Sequence, residues 1–258
     1  MNIYETPRLV SEYLLFHYGS SEEILPWPGG PSAALHFPVR VVRELFRPGE
    51  LPPGPRALEL GCAVGRSSLE LSRFCDEVAG IDFSSAFIDA AESVARSGAL
   101  PYLRTDEGRL TTPLVARPPD GTRPGKVRFQ QGDAMDLPGS LGAFDAVLAA
   151  NLLCRLPQPD RLLSRLPNLV RAHGQLVLTT PCTWLEEFTP RQHWLGGFQD
   201  GAGRAVATLE GLTQALSPAF ELVETRDLPF LIREHARKYQ WNVAQGSLWK
   251  RRGPGHAC

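Results

Sequence analysis

The stretch ALELGCAVGRSS, residues 57–68, is where this chain first offers chemistry. It reads as a strand, a glycine-bearing turn and the start of a helix, where backbone N–H groups and a helix N-terminus can receive a ligand. Three ligands compete for such a turn. A phosphate loop needs G-x-x-x-x-G-K-[ST]; here Gly65 is followed by Arg66 with no lysine near, which excludes it. A dinucleotide loop needs G-x-G-x-x-G. Counting from Gly61, the second and third glycine positions hold Ala63 and Arg66, and the third glycine is what allows close helix–strand packing. The remaining pattern is the S-adenosylmethionine turn, E/D-x-G-x-G-x-G, matched by Glu59, Gly61 and Gly65 with Ala63 one methyl away. In that reading the turn around Cys62 and the helix start take a methionine carboxylate, while Glu59 reaches the ammonium. No pyrophosphate has to approach the backbone, so Ala63 is tolerated.

Further carboxylates sit where such a ligand needs them. Asp82 ends a second strand, 17 residues beyond Gly65, where it can accept both ribose hydroxyls; Phe83 follows it as a further cofactor contact. Nicotinamide enzymes use the same device, so Asp82 alone does not discriminate. Asp133 does: after the third strand, in QGDAMDL, it can cap an adenine amine, with the Ala134 amide on a ring nitrogen. The strand FDAVLAANLL then carries Asn151 to the edge where a methyl group is presented. Arg40, in HFPVR, is either a second anchor for the methionine carboxylate or a solvated helix arginine.

These residues need a frame that brings strand ends together. RALEL, EVAGID, VRFQQGD, FDAVLAANLLCRL and QLVLTTP read as strands. ALHFPVRVVRELF reads as a helix with Val39, Val42 and Phe46 on one face; SSLELSRFC, SAFIDAAESVARSG and ATLEGLTQALSP read as further helices. DRLLSRLPNLVRAHG is also helical by pattern, with Pro167 expected to kink or split it. Alternating strand and helix predicts parallel strands joined by right-handed crossovers. FELVETRDLPFLIRE and YQWNVAQGSLWKR predict an antiparallel hairpin closing the sheet. The expectation is one α/β, doubly wound (Rossmann-like) domain over 1–258, with a seven-stranded mostly parallel sheet. It divides into an N-terminal lid (1–47), a core (56–98 and 127–251), an inserted hairpin (99–126) and a tail (252–258).

Composition narrows the partners. The formal net charge is −1, so no basic field gathers nucleic acid or an anionic membrane. No apolar run approaches the roughly 20 residues of a membrane helix, and MNIYETPRLV lacks the basic and apolar regions of a signal peptide. These features predict a soluble, cytoplasmic protein. The five cysteines form no C-x-x-C pair, which argues against a metal site or a disulfide framework; each is expected to be a small buried hydrophobe, Cys62 least securely.

The substrate must be read elsewhere, from aromatic–charged mixtures at 4–19, 180–194 and 231–241. All three are expected to converge over the carboxyl edge of the sheet, which suits a small, polar, zwitterionic ligand. Tyr18, His17, Glu5 and Glu234 are candidate bases or ring-orienting groups, with His235 beside them. Arg233 and Lys238 are candidates for a carboxylate, and Trp184, Trp241 and Tyr239 for the walls of a ring. Tyr13, Leu14 and Phe16 read as core, His17 as either ligand or packed histidine, and the tryptophans as either wall or packing.

YETPRLVSEYLLFHYG, GPSAALHFPVR, LELGCAVGRSS, GIDFSSAFI, FQQGDAMDL and LPFLIREHARKYQW together resemble the 4-mercaptohistidine (5-thiohistidine) N1-methyltransferase family, which occurs as the C-terminal domain of ovothiol synthase and as stand-alone proteins. The resemblance runs from Tyr4 to about Arg251, and FHYG and REHARKYQW are more specific to it than the cofactor turn is. It implies a class I S-adenosylmethionine-dependent methyltransferase that places a methyl on an imidazole nitrogen of 5-thiohistidine to give ovothiol A. It also implies a separate 5-histidylcysteine sulfoxide synthase in the same pathway. A methyltransferase for histidine or another small amino-acid-like metabolite is the nearest rival, and a non-catalytic nucleotide-binding protein the next.

Overall fold

A computed structural model describes residues 3–253. Helix α1 (Pro7–Tyr18) and the short α2 (Ser21–Ile24) precede α3 (Phe37–Leu45). The alternating core follows as β1 (Arg56–Leu60), α4 (Arg66–Leu71), β2 (Glu77–Asp82) and α5 (Ser85–Ser97). A hairpin, β3 (Leu100–Glu107) and β4 (Leu110–Ala116), interrupts it before β5 (Val127–Gln131), β6 (Phe144–Ala150), α6 (Pro159–Leu169) and β7 (Val170–Thr180). Two short strands, β8 (Phe198–Gln199) and β9 (Ala205–Val206), lead to α7 (Thr208–Leu216). The long hairpin β10 (Phe220–His235) and β11 (Lys238–Arg251) completes the fold.

The main sheet has seven strands in the order β10-β11-β7-β6-β1-β2-β5. The five strands β5, β2, β1, β6 and β7 are parallel, and β11 joins β7 antiparallel. The direction of winding reverses between β1 and β6, so a crevice opens at their carboxyl ends. β6 is buried along all but its last residue, as a central strand covered on both faces must be. Local chemistry sets the helices: Thr6 caps α1 by accepting from the Leu9 amide, Ser84 caps α5 by accepting from Phe87, and Gly98 ends α5 in the left-handed region.

Some local expectations differ from the structure. The strand expected over 144–156 ends at Ala150, because Asn151 turns left-handed (φ 53°) and a 3-10 turn, Leu153–Arg155, follows. The helix expected from Ala34 begins at Phe37, because His36 adopts a left-handed φ of 56° and Pro38 follows. Its buried face is Val41, Val42 and Leu45, with Phe46 packed at its end, and Val39 is only half-buried. α6 is one helix through Pro167, which falls in its last turn and so interrupts little. Residues 170–174, expected to be helical, are the start of β7. Val170 is buried, Arg171 grips the Asp145 carboxylate at 2.9 and 3.1 Å, and His173 (φ 65°) absorbs a register shift opposite β6. The reading of 252–258 as a tail, with Cys258, falls mostly outside the described residues. No helix among the described residues is long and apolar enough to cross a membrane.

The inserted hairpin forms its own two-stranded sheet. Its Tyr102 and Ala116 are buried in a cluster with Leu14 and Leu15 of α1 and Phe87 of α5. It therefore buttresses the N-terminal helices from outside. At the other end of that packing, Gly65 (φ 84°) lies so close to Phe129 that an added Cβ would sit 2.5 Å from ring atom Cζ and 3.0 Å from the Ala91 methyl. Gly65→Ala should destabilise the fold by roughly 2–5 kcal/mol, combining left-handed strain with overpacking. Denaturant unfolding measures this, and a loss below about 1 kcal/mol would refute the packing described.

Candidate functional site

The β1–α4 turn takes its shape from three alternate left-handed residues, Gly61 (φ 70°), Ala63 (φ 46°) and Gly65 (φ 84°). The position where the pattern calls for its middle glycine needs that conformation, and Ala63 occupies it with a side chain that disfavours it. The turn's amides are largely engaged. Gly61 and Cys62 donate to Ile81 O, Ala63 to Asp82 Oδ2 at 2.8 Å, and Gly65 to Cys62 O. A methionine carboxylate therefore meets fewer open amides than the sequence suggests.

Glu59 lies beneath this turn, 2% exposed, and accepts from the Ser68 hydroxyl. Burial pushes its carboxyl up to about 8, against the hydrogen bonds of Ser68 and Ser67. It is a neutral brace between strand and helix, not an exposed group awaiting an ammonium. Arg66, which entered the sequence reading only as a mismatch, is 7% exposed and paired with Glu70 at 2.8 Å.

The strand ends bring the remaining cofactor candidates to one edge. Asp82 accepts from Ala63 N at 2.8 Å and Ser84 N at 2.9 Å, and stays half-buried. Burial raises its carboxyl pKa, opposed by the amides of Ser84, Ala63 and Phe83. Each oxygen keeps acceptor capacity for a hydroxyl. Phe83 stands 64% exposed beside it, an apolar surface for a flat ring. Asp133 is half-buried and accepts from Met135 N at 2.8 Å; Ala134 is buried next to it. Asn151, at φ 53°, donates from its amide to Thr179 O and accepts from the Thr179 hydroxyl at 2.8 Å, which fixes its side chain at the end of β6. Carboxylates, an exposed aromatic face and a strained turn at a switch point suit an adenosine-bearing ligand.

The N-terminal segment roofs this edge. Tyr18 Oη donates to Val64 O at 2.7 Å, inside the turn itself. Ser84 Oγ donates to Tyr4 O, and Glu5 accepts from Ser85 N, Ser85 Oγ and Ala86 N at 3.1–3.2 Å. The Tyr13 ring packs 4.7 Å from Phe87 and 5.9 Å from His17.

These contacts sort the candidate bases. Tyr18 has its proton committed to Val64, and burial pushes the phenol well above its ordinary value. Glu5 is a cap on α5; partial desolvation raises its carboxyl, but bonds from Ser84, Ala86 and Ser85 outweigh it and leave it below the ordinary value. Glu234 is held low by Lys238, 2.7 Å away, and by Gln240. His17 is buried, with Nδ1 unpartnered among the described residues. Burial, with Arg66 adding its charge, lowers its pKa to about 3 and keeps it neutral.

Other expected ligands lie elsewhere. Arg40 is spent on Glu44, Ala33 O and Pro229 O, tying α3 to β10. Arg233, 3% exposed, bonds Asp106 at 3.0 Å and Glu23 O at 2.8 Å, linking β10 to the inserted hairpin. Lys238 is exposed and paired with Glu234, and Trp241 is 56% exposed on β11. Trp184 is buried in the core beside α7, its indole donating to Thr208. Residues 231–241 thus overhang the carboxyl edge but grip the roof, not the cleft. Among the described residues no His/Cys/Asp/Glu group could hold a metal.

Residues 58–178 match the family model described as a methyltransferase domain. This stretch is similar to methyltransferase domains. The chain is 31% identical over 150 residues to magnesium-protoporphyrin O-methyltransferase of Rhodobacter capsulatus, covering 54% of each chain. It is 24% identical over 156 residues to ajmaline N-methyltransferase of Rauvolfia serpentina, covering 58% of this chain and 45% of that one. It spans about half the length of these curated relatives. The N-methyltransferase NodS of Bradyrhizobium japonicum, solved with S-adenosyl-L-homocysteine, superposes with a TM-score of 0.52 at 14% identity, over 94% of this chain and 98% of that one. An S-adenosylmethionine-dependent methyltransferase from Methanosarcina mazei gives 0.52 at 21%, over 79% and 95%. The fold is that of the class I S-adenosylmethionine-dependent methyltransferases.

Two measurements probe this domain's site. The folded chain holds the Glu59 proton up to about pH 8, whereas the unfolded chain releases it near the ordinary 4.5, so folding stability should fall as pH rises between these values. Glu59→Gln should flatten that slope in urea melts taken from pH 4.5 to 8.5; an unchanged slope would show that Glu59 is ionised in the fold. Asp82→Ala should weaken S-adenosylhomocysteine binding by at least about tenfold and cost about 1.5–3 kcal/mol of stability, because the Ala63 and Ser84 amides lose their acceptor. Unchanged affinity by calorimetry would remove Asp82 from the site.

Proposed function

We propose that the protein is an S-adenosylmethionine-dependent N-methyltransferase acting on an imidazole nitrogen of 5-thiohistidine, with ovothiol A as product. S-adenosylmethionine, when bound, supplies a sulfonium methyl for in-line transfer to a nucleophile. Asp82 would hold the ribose, Phe83, Asp133 and Ala134 the adenine, and Asn151 would border the transferring group.

The observation that carries the substrate reading is the docking of the N-terminal segment on the cofactor turn. Tyr18, in the FHYG stretch on which the family resemblance most depends, bonds the Val64 carbonyl, and Tyr4 and Glu5 anchor on the β2–α5 turn. Residues specific to the resemblance therefore border the same edge as the cofactor candidates. The aromatic rings of the roof, Tyr4, Tyr13 and Phe87, suit a small flat ring.

The chemical difficulty is selectivity. The substrate thiolate is a better nucleophile than the ring nitrogen, so the protein must hold the nitrogen, and not the sulfur, about 3 Å from the methyl carbon. Rigid walls serve that purpose. Of the four candidate bases, His17 retains an unpartnered ring nitrogen and, held neutral, is the one this reading keeps for orienting the ring by a hydrogen bond. A sulfoxide synthase supplying the thiolated precursor is the expected pathway partner, and the cytoplasm the expected location.

The test is transfer from labelled S-adenosylmethionine to 5-thiohistidine and to histidine in parallel, with the product's methyl position read by NMR. Methylation of a ring nitrogen of 5-thiohistidine, at least about a hundredfold more efficient than any reaction of histidine, is expected. Methylation of histidine alone, or of sulfur, would overturn the substrate assignment.

A further inference from the structure

The loop leaving β6 carries an arginine with a buried nitrogen that has no hydrogen-bond partner among the described residues. Arg155 lies four residues beyond Asn151, in the 3-10 turn Leu153–Arg155. Its guanidinium carbon sits 4.4 Å from the centre of the Phe188 ring. The unpartnered nitrogen is Nη1. A buried guanidinium N–H without an acceptor carries the full desolvation cost of a charged donor, which an anionic ligand would offset. Arg40 and Lys238 are occupied by Glu44 and Glu234; Arg233 also keeps a buried, unpartnered Nε, but both of its terminal nitrogens are held, by Glu23 O and Asp106.

The surroundings hold Arg155 in place. The Thr189 hydroxyl donates to Leu156 O at 2.7 Å, and the Trp194 indole donates to Thr189 O at 2.7 Å, so the segment bearing Phe188 is pinned on the β6 exit. On the roof side lie Tyr4 and Tyr13. Burial raises both phenols while the charge of Arg155 acts to lower them, and the charge of Asp82 acts on the same two groups. Arg155 and the ribose-side carboxylate thus both act electrostatically on the two tyrosines of the roof. Phe188 covers one face of the guanidinium, and the planar N–H fork is suited to bidentate contact with a carboxylate.

We infer that Arg155 binds the α-carboxylate of the amino acid that receives the methyl group. The inference rests on the amino-acid reading of the substrate. The cofactor's own methionine carboxylate shares this chemistry. The substrate is favoured because Arg155 leaves β6, across the switch point from the Glu59–Gly65 turn and the start of α4.

The test compares the full chain with Arg155→Gln and Arg155→Lys, using 5-thiohistidine and its carboxamide as methyl acceptors and calorimetry for S-adenosylhomocysteine. In Arg155→Gln, KM for 5-thiohistidine should rise about 10- to 100-fold with little change in kcat, the value for a lost charge-assisted pair. KM for the carboxamide should be high in the native protein and unmoved by the substitution. Arg155→Lys should fall between, and S-adenosylhomocysteine affinity should stay constant, which also shows that the variants fold. An unmoved KM for 5-thiohistidine would overturn the inference, as would a tenfold loss of S-adenosylhomocysteine affinity, which would assign Arg155 to the cofactor. If the native protein does not methylate 5-thiohistidine, the same variants are titrated, as S-adenosylhomocysteine complexes, with histidine and histidinamide. An Arg155-dependent preference for the acid then upholds the carboxylate site while the substrate reading falls; no preference overturns both.

Discussion

The Asp82 carboxylate is the hinge of this site. One oxygen holds the Ala63 amide and the other the Ser84 amide, so a single side chain at the end of β2 fixes both the turn after β1 and the start of α5. The turn could not otherwise keep three alternate left-handed residues, one of them an alanine, within a closely packed core. Phe129 from β5 presses on Gly65 from the other side, and the Ser68 hydroxyl grips Glu59 below. Each contact tolerates little movement in the next.

That rigidity has an electrostatic side. Burial disfavours the charged forms of Glu59 and His17, while Arg66 pairs with a Glu70 that Arg43 and Arg73 also share, so the turn keeps positive charge beside His17. The rim of the site carries Asp82 and Arg155. A low-dielectric floor with a few rim charges strengthens whatever polar contacts a ligand makes there.

The fold was legible in the sequence because its strands are short apolar runs punctuated by turns, and because Gly61, Asp82 and Asn151, with a left-handed backbone or a carboxylate, mark where three of them stop. The cofactor edge was legible for the same reason: Gly61, Gly65, Asp82, Asp133 and Asn151 are needed at strand ends, where topology alone gathers them. The ends of the chain were harder. Arg233, Lys238 and Glu234 carry the right chemistry, but their charges are consumed by partners distant in sequence, as when Arg233 meets Asp106. Tyr18 and Glu5, read as candidate bases, serve as supports instead, since a hydroxyl or a carboxylate looks the same in sequence whether it meets a ligand or a backbone group. Arg155 went unnoticed because LLCRL reads as continued apolar strand, and only the packing of Phe188 marks the arginine out. The helical pattern through VRAHG failed where Asp145 and a left-handed His173 turn the backbone into β7.

The β10–β11 hairpin extends past the last pairing of β7 and takes hold of the N-terminal roof: Trp27 donates to Ala236 O, Arg233 to Glu23 O and Arg40 to Pro229 O. The partners in the first two bonds are 209 and 210 residues apart. On a ribosome, the strands that cradle the cofactor therefore emerge long before the segment that fastens the lid. The nascent chain thus holds the residues of both floor and roof early, and the strands that tie the roof down only at the end.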